Sequence, residues 1–196
     1  MSIIDTLIFD RTFADQQRTV YLIQRILKNG FGSLEVLEQV EYLAGLRGCY
    51  NYVDMNRVGA VVSYLAGRMI DASWEIAVYR EAQGVAYSSY FDMPYDVNEV
   101  QVNPKTNWTD LDEPTKAQET QYLADLLTLR MLIPLPPDAP LVPATLDALS
   151  LDGANDIERL LFVIDSTLTL TIAEVKSRID RAVLAYAYSG MEYSAL

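Results

Sequence analysis

Carboxylates are the groups in this chain best able to do chemistry. Aspartate and glutamate total 27 against 15 lysines and arginines, with no histidine and a single cysteine, Cys49. Two carboxylates held a few ångströms apart could act as acid and nucleophile, or acid and base, in glycoside hydrolysis. The densest run lies between Ser89 and Asp125, where Asp92, Asp96, Glu99, Asp110, Asp112, Glu113, Glu119 and Asp125 stand against only Lys105 and Lys116. Eight acids against two lysines give −6, half of the formal net charge of −12. A calcium loop would need a mid-loop glycine and a terminal glutamate at fixed spacing, and that pattern is missing. Helix capping, helix-dipole and solvation duty account for these acids more simply. Without histidine the usual near-neutral base is gone, and most catalytic triads with it. One cysteine can form no disulfide within the chain, and zinc sites built from Cys and His cannot be assembled. The reading is a non-enzyme with no catalytic residues, no cofactor and no metal.

Recognition remains. Trp108 could stack on a sugar or a partner, or plug the core where a turn meets a helix. Near the C-terminus, Tyr186, Tyr188, Met191, Tyr193 and Leu196 gather residue types favoured in interfaces, either to dock on another subunit or to fold back on the chain's own core. Trp108 and these five residues are the candidate partner contacts. The net charge disfavours nucleic-acid backbones and anionic membrane surfaces. No apolar run approaches a bilayer span, and Met1 to Asp5 lacks the basic and long apolar regions of a signal peptide.

Positioning these groups falls to helices. With 196 residues, 51% hydrophobic and 21% charged, the chain can bury the core of one domain. The organising stretch runs from Gly48 to Met69: Asn51 and Asp54 suit a cap and first turn, and Met55, Val58, Val62, Leu65 and Met69 step by three and four residues along one face. Arg57 and Arg68 lie off that face. Before it, Thr12 and Asp15 form a capping-box pair ahead of Val20, Ile23 and Leu27, with Gly30 as the stop. Ser33 is expected to cap a short helix carrying Leu34, Leu37 and Val40. After Gly84, residues 85–108 change character, with Tyr87, Tyr90, Phe91, Tyr95 and several valines among prolines and asparagines; they predict an extended aromatic segment that could close as a short β-hairpin.

Asp112-Glu113-Pro114 is expected to open the next helix, with Tyr122, Leu126, Leu129 and Ile133 on its buried side. Five prolines between Pro134 and Pro143 force a stiff extended crossover. Asp152 then caps a helix with Ile157, Leu160, Leu161, Ile164 and Leu168 inward, ending in the β-branched run from Thr167 to Ile172. Thr171 and Glu174 predict a separate last helix. The fold class is all-α, a mainly helical bundle, organised as a helical domain over 1–170 and a C-terminal helix and tail over 171–196. Asp54, Asn56 and Val58 share a layout with Asp152, Asn155 and Ile157, which cap preferences alone can produce.

Several stretches together resemble a known group: Asp10-Arg11-Thr12; Leu43 to Tyr52 running into Asp54 to Ala60; Pro104 to Thr109 with its Lys-Thr-Asn-Trp turn; and Ala154 to Arg159 with Asn-Asp-Ile-Glu. In order and spacing they resemble small helical modules of structural proteins of tailed phages and prophages of Gram-positive bacteria, over about Asp10 to Ile164. The resemblance implies a virion part made in the host bacterial cytoplasm, in the tail, baseplate, neck or fibre-attachment region. Its partners would be further copies of itself and other virion proteins. The alternative is a receptor- or glycan-binding module on the same particle, using exposed tyrosines and Trp108.

Overall fold

In the computed structural model, which describes the backbone of residues 2–193 and the side chains of residues 2–187, five α-helices form among the described residues. They are α1 (Phe13–Asn29), α2 (Val36–Leu43), α3 (Tyr52–Ala82), α4 (Lys116–Leu132) and α5 (Leu151–Tyr193). The chain is mostly helical, and no strand occurs among the described residues. The predicted hairpin therefore does not form: residues 85–108 contain only the 3-10 turns Ser89–Phe91 and Val97–Glu99. No described helix is long and apolar enough to cross a membrane.

The organising helix forms as its caps dictate and runs longer than its first stripe, to Ala82. Asn51 accepts the Val53 amide, Asp54 accepts the Asn51 amide, and Met55, Val58, Val62, Leu65 and Met69 are all buried. α5 continues along the same molecule for 43 residues without the expected break. The threonines that suggested a stop are absorbed: Thr169 and Thr171 donate back to the carbonyls of Asp165 and Thr167, and Leu168, Val175 and Ile179 prolong the buried stripe. Ser150, rather than Asp152, caps α5 by accepting the Gly153 amide at 3.0 Å. Likewise α4 is capped by Thr115 with Gln118, one residue beyond Pro114.

α3 and α5 lie side by side and run parallel. Four of their polar contacts share an offset of 101 residues, Arg57 to Glu158, Arg68 to Thr169, Glu75 to Lys176 and Tyr79 to Asp180, and Arg68 also reaches Asp165 one turn earlier. α4 runs the same way. Tyr122 in its second turn meets Tyr50 just before α3, while Pro134 beyond its end shares a groove with Thr167 and Leu170 of α5.

Three parallel helices need two long return legs, since a short loop can only reverse direction. Residues 83–115 make the first: the Tyr95 hydroxyl donates to the Met69 carbonyl at 2.8 Å, and further on Trp108 sits at Asn56. Residues 133–150 make the second, from Pro134 back to Thr145 at Glu119. The prolines have a physical use there, because a chain in extended form covers twice the distance per residue of a helix. A turn at Pro136–Ala139 interrupts the extended run.

α1 and α2 stand apart from this body as a helical hairpin. Thr12 and Asp15 cap α1 and Gly30 stops it at φ 81°, as the sequence predicts. α2 is capped by Glu35 with Glu38, after a 3-10 turn that takes up Ser33. The hairpin has a small core of its own, Leu22, Leu34 and Leu46, with Ile26 and Cys49 against it. Val20, Ile23, Leu27, Leu37 and Val40 are exposed.

Candidate functional site

The four motif stretches singled out in the sequence meet at the end of the bundle where α3 and α5 begin. At its centre Arg11, Asp54, Arg57 and Glu158 form a charge-balanced cluster. Arg11 reaches Glu158 at 2.5 Å and Asp54 at 2.8 Å, with a side chain sealed from solvent. Arg57 takes Glu158 with both ends of its fork, at 2.7 and 3.0 Å, and also bonds Asp54. Glu158 is fully buried and additionally accepts the Ile8 amide at 2.6 Å. Two cations meet two anions here with most of their lone pairs and protons spent, the buried Arg11 Nε being the proton without a partner. Burial alone would lower the pKa of Arg57, but the hydrogen bonds and charge of Glu158 outweigh it and raise it. Arg57, which the stripe analysis leaves on an outer face, is thus a tertiary ligand.

Two asparagines hold the passing chain by its backbone. Asn155 donates to the Arg11 carbonyl and accepts the Arg11 amide, both at 3.0 Å. Asn56 does the same to Trp108, donating at 2.9 Å and accepting at 2.7 Å. Each side-chain amide replaces a neighbouring strand, which satisfies a loop that has no ladder of its own. The shared layout of Asn56 and Asn155 in the sequence therefore corresponds to a shared task.

Glycines allow the close approaches. A methyl on Gly59 would stand 2.6 Å from the Lys105 carbonyl, and one on Gly48 would stand 2.2 Å from the Asp15 carbonyl. Both distances are impossible for a real side chain, so the first glycine admits the Trp108 loop and the second admits α1.

Trp108 is 4% exposed. Its indole donates to Lys105, and the Lys105 ammonium sits 3.8 Å from the ring centroid, so it acts as the core plug and offers no face to a sugar. Tyr186 is exposed near the end of the described side chains. Tyr188, Met191, Tyr193 and Leu196, the other candidate contacts, have side chains outside the described residues.

A cleft of about 380 Å³ opens beside the cluster, lined by Arg11, Gln16, Cys49, Tyr50, Pro114 and Leu149 among others. Burial pushes the Cys49 thiol above its ordinary value, away from the thiolate a nucleophile requires. The Tyr50 hydroxyl is bonded to that of Tyr122, and burial drives both far above the usual tyrosine range. The cleft therefore presents no poised acid, base or nucleophile.

The acidic run from Asp92 to Asp125 is dispersed. Asp92 pairs with Arg80, Asp96 caps Asn98, Asp112 takes Lys105 and the Thr109 amide, and Asp125 accepts the Asn103 amide. Glu119 accepts from Lys116, Thr145 and the Leu146 amide, and these bonds lower its pKa to about 2. Among the described residues no group of three or more side chains is placed to hold a metal ion.

Sequence reasoning marked Arg11, Asp54, Asn56, Asn155 and Glu158 as motif or cap residues without joining them. The available signal was charge: Arg11, Arg57, Asp54 and Glu158 are two arginines and two carboxylates among the charged residues of the motifs. Comparison with known proteins finds no matching family model, no matching curated protein and no matching solved structure.

Proposed function

We propose that this chain is a non-enzymatic structural subunit of a bacteriophage or phage-derived particle, in the tail, baseplate, neck or fibre-attachment region, made in the host bacterial cytoplasm. It works by packing and self-association with copies of itself and with other virion proteins. One observation carries the non-catalytic part of this reading: the motif residues are used up in holding segments of the chain together. An enzyme of the kind that carboxylates permit would keep at least one of them open to a substrate. The phage assignment comes from the order and spacing of the motifs alone. The glycan-binding alternative is weakened, since Trp108, its best stacking platform, is buried.

Quantitative mass spectrometry of sedimented particles from the source strain tests the reading. A fixed ratio of this chain to the major capsid and tail proteins is the expected result and gives its copy number. Abundance in the lysate with absence from particles overturns it.

A further inference from the structure

The hairpin turns its apolar residues the wrong way for a self-contained unit. Val20, Ile23 and Leu27 recur along the outer side of α1, and Val36, Val40 and Leu43 along the outer side of α2; all six are exposed, Leu27 by 81%. Two of the six, Ile23 and Leu43, line one groove, and exposed apolar surface gathered in one place marks an interaction site. The groove, of about 270 Å³, is lined by Ile23 of α1, Tyr42 and Leu43 of α2, Leu46 in the connection that follows, Tyr52 at the start of α3, and Asp110.

The other end of the molecule offers what such a groove takes. α5 outruns its own body: Val183 is the last of its side chains that packs on the core among the described residues, and Leu184 and Tyr186 are exposed. The helix continues to Tyr193, and Leu184, Tyr188 and Met191 recur in the sequence at steps of four and three. Arg181 lies on an exposed face one turn before Leu184, a match for the charge of Asp110. An amphipathic helix laid into an apolar groove is a common recognition mode.

The two features cannot meet within one chain. The groove lies at Tyr52, which the shared offset of 101 sets level with the start of α5, and Tyr188 is 35 residues further along that helix. At 1.5 Å per residue the separation is about 50 Å.

We infer that the last turns of α5, from Leu184 onward, dock in the α1–α2 groove of a second copy, so that the chain assembles head to tail. The inference rests on the subunit reading above and names the surfaces that reading requires. A contact between two different faces is heterologous, and it propagates into a ring or a filament instead of stopping at a dimer.

Sedimentation velocity of the full chain over a range of concentrations tests it, using the natural sequence, Leu43→Glu, Met191→Glu and an equal mixture of the two variants. Leu43 is exposed, so its replacement leaves the fold in place, which far-ultraviolet circular dichroism checks for both variants. The natural chain should associate beyond a dimer, and each variant alone should associate at least about 30-fold more weakly, as for an interface hot spot. The mixture should recover a 1:1 dimer and no more, because one copy keeps an intact groove and the other an intact α5 end. A natural chain that is monomeric throughout, an unaffected Met191→Glu variant, or a mixture without the dimer overturns the proposal. An unaffected Met191→Glu variant beside a weakened Leu43→Glu variant would point to the hairpin face meeting its own copy. A monomeric chain still found at fixed ratio in particles would refute head-to-tail assembly and leave the subunit reading standing; association without presence in particles would do the reverse.

Discussion

The body and the hairpin use the same sequence pattern to opposite ends. In α3 every member of the stripe from Met55 to Met69 is buried against α4, α5 and the return legs. In α1 the stripe of Val20, Ile23 and Leu27 faces solvent, and three leucines make the hairpin's core. Its other ties include the exposed ion pair of Arg18 with Glu41, the pairs of Arg18 and Arg25 with the buried Glu38, the Gly48 amide donated to the Thr19 hydroxyl, the Arg47 pairs with Asp10 and Asp15, and the packing of Gly48 on Asp15. Exposed pairs contribute about 0–1 kcal/mol each, far less than a buried aliphatic core. Helical spacing therefore announces that a face will be covered, without saying whether the cover comes from the same chain.

The largest break in this contrast should come from Glu158→Gln. Removing one carboxylate leaves two buried arginines with a single aspartate, and the loss should be about 3–5 kcal/mol in denaturant unfolding of the whole chain. Leu22→Ala should cost about 2–5 kcal/mol, but within the hairpin, so that exchange of α1 and α2 amides rises while α3 stays protected. Its outward neighbour sharpens the point: Leu27→Ala should change stability by no more than about 0.5 kcal/mol. Asn56→Ala leaves the Trp108 amide and carbonyl without partners and should cost about 1–3 kcal/mol, with a shift in indole fluorescence as its local readout.

The smallest effect concerns acid. The folded pKa of Glu119, about 2, lies below its ordinary value of 4.5. Its bonds to Lys116, Thr145 and Leu146 therefore add stability that is present above pH 4.5 and is lost as the pH falls through about 2. The Leu146 amide resonance should titrate over that range while the amides of α3 do not.

Much of the helical framework was legible because it is written locally. Thr12, Asn51 and Gly30 act as their side chains and positions predict, and the stripes of α3 and of Ile157 to Leu168 point inward. The β-branched run at Thr167 misled because propensity is weak against packing: Leu168, Val175 and Ile179 hold α5 straight through it. Ser33 failed as a cap because a 3-10 turn consumed it first. The buried cluster was not legible, since Arg11, Asp54 and Glu158 are distant in sequence and each looks like an ordinary cap or surface charge by itself. The parallel course of α3, α4 and α5 was likewise hidden, although two long irregular legs between helices are what such a course demands.

Native-state hydrogen exchange on the dilute full chain tests the division between body and hairpin most directly. The account predicts that amides of α1 and α2 exchange through an opening at least about 2 kcal/mol easier than that of the central turns of α3, from Val58 to Ile76. Equal opening free energies for the hairpin and α3 would contradict it, because the hairpin would then be as self-sufficient as the body and would need no partner.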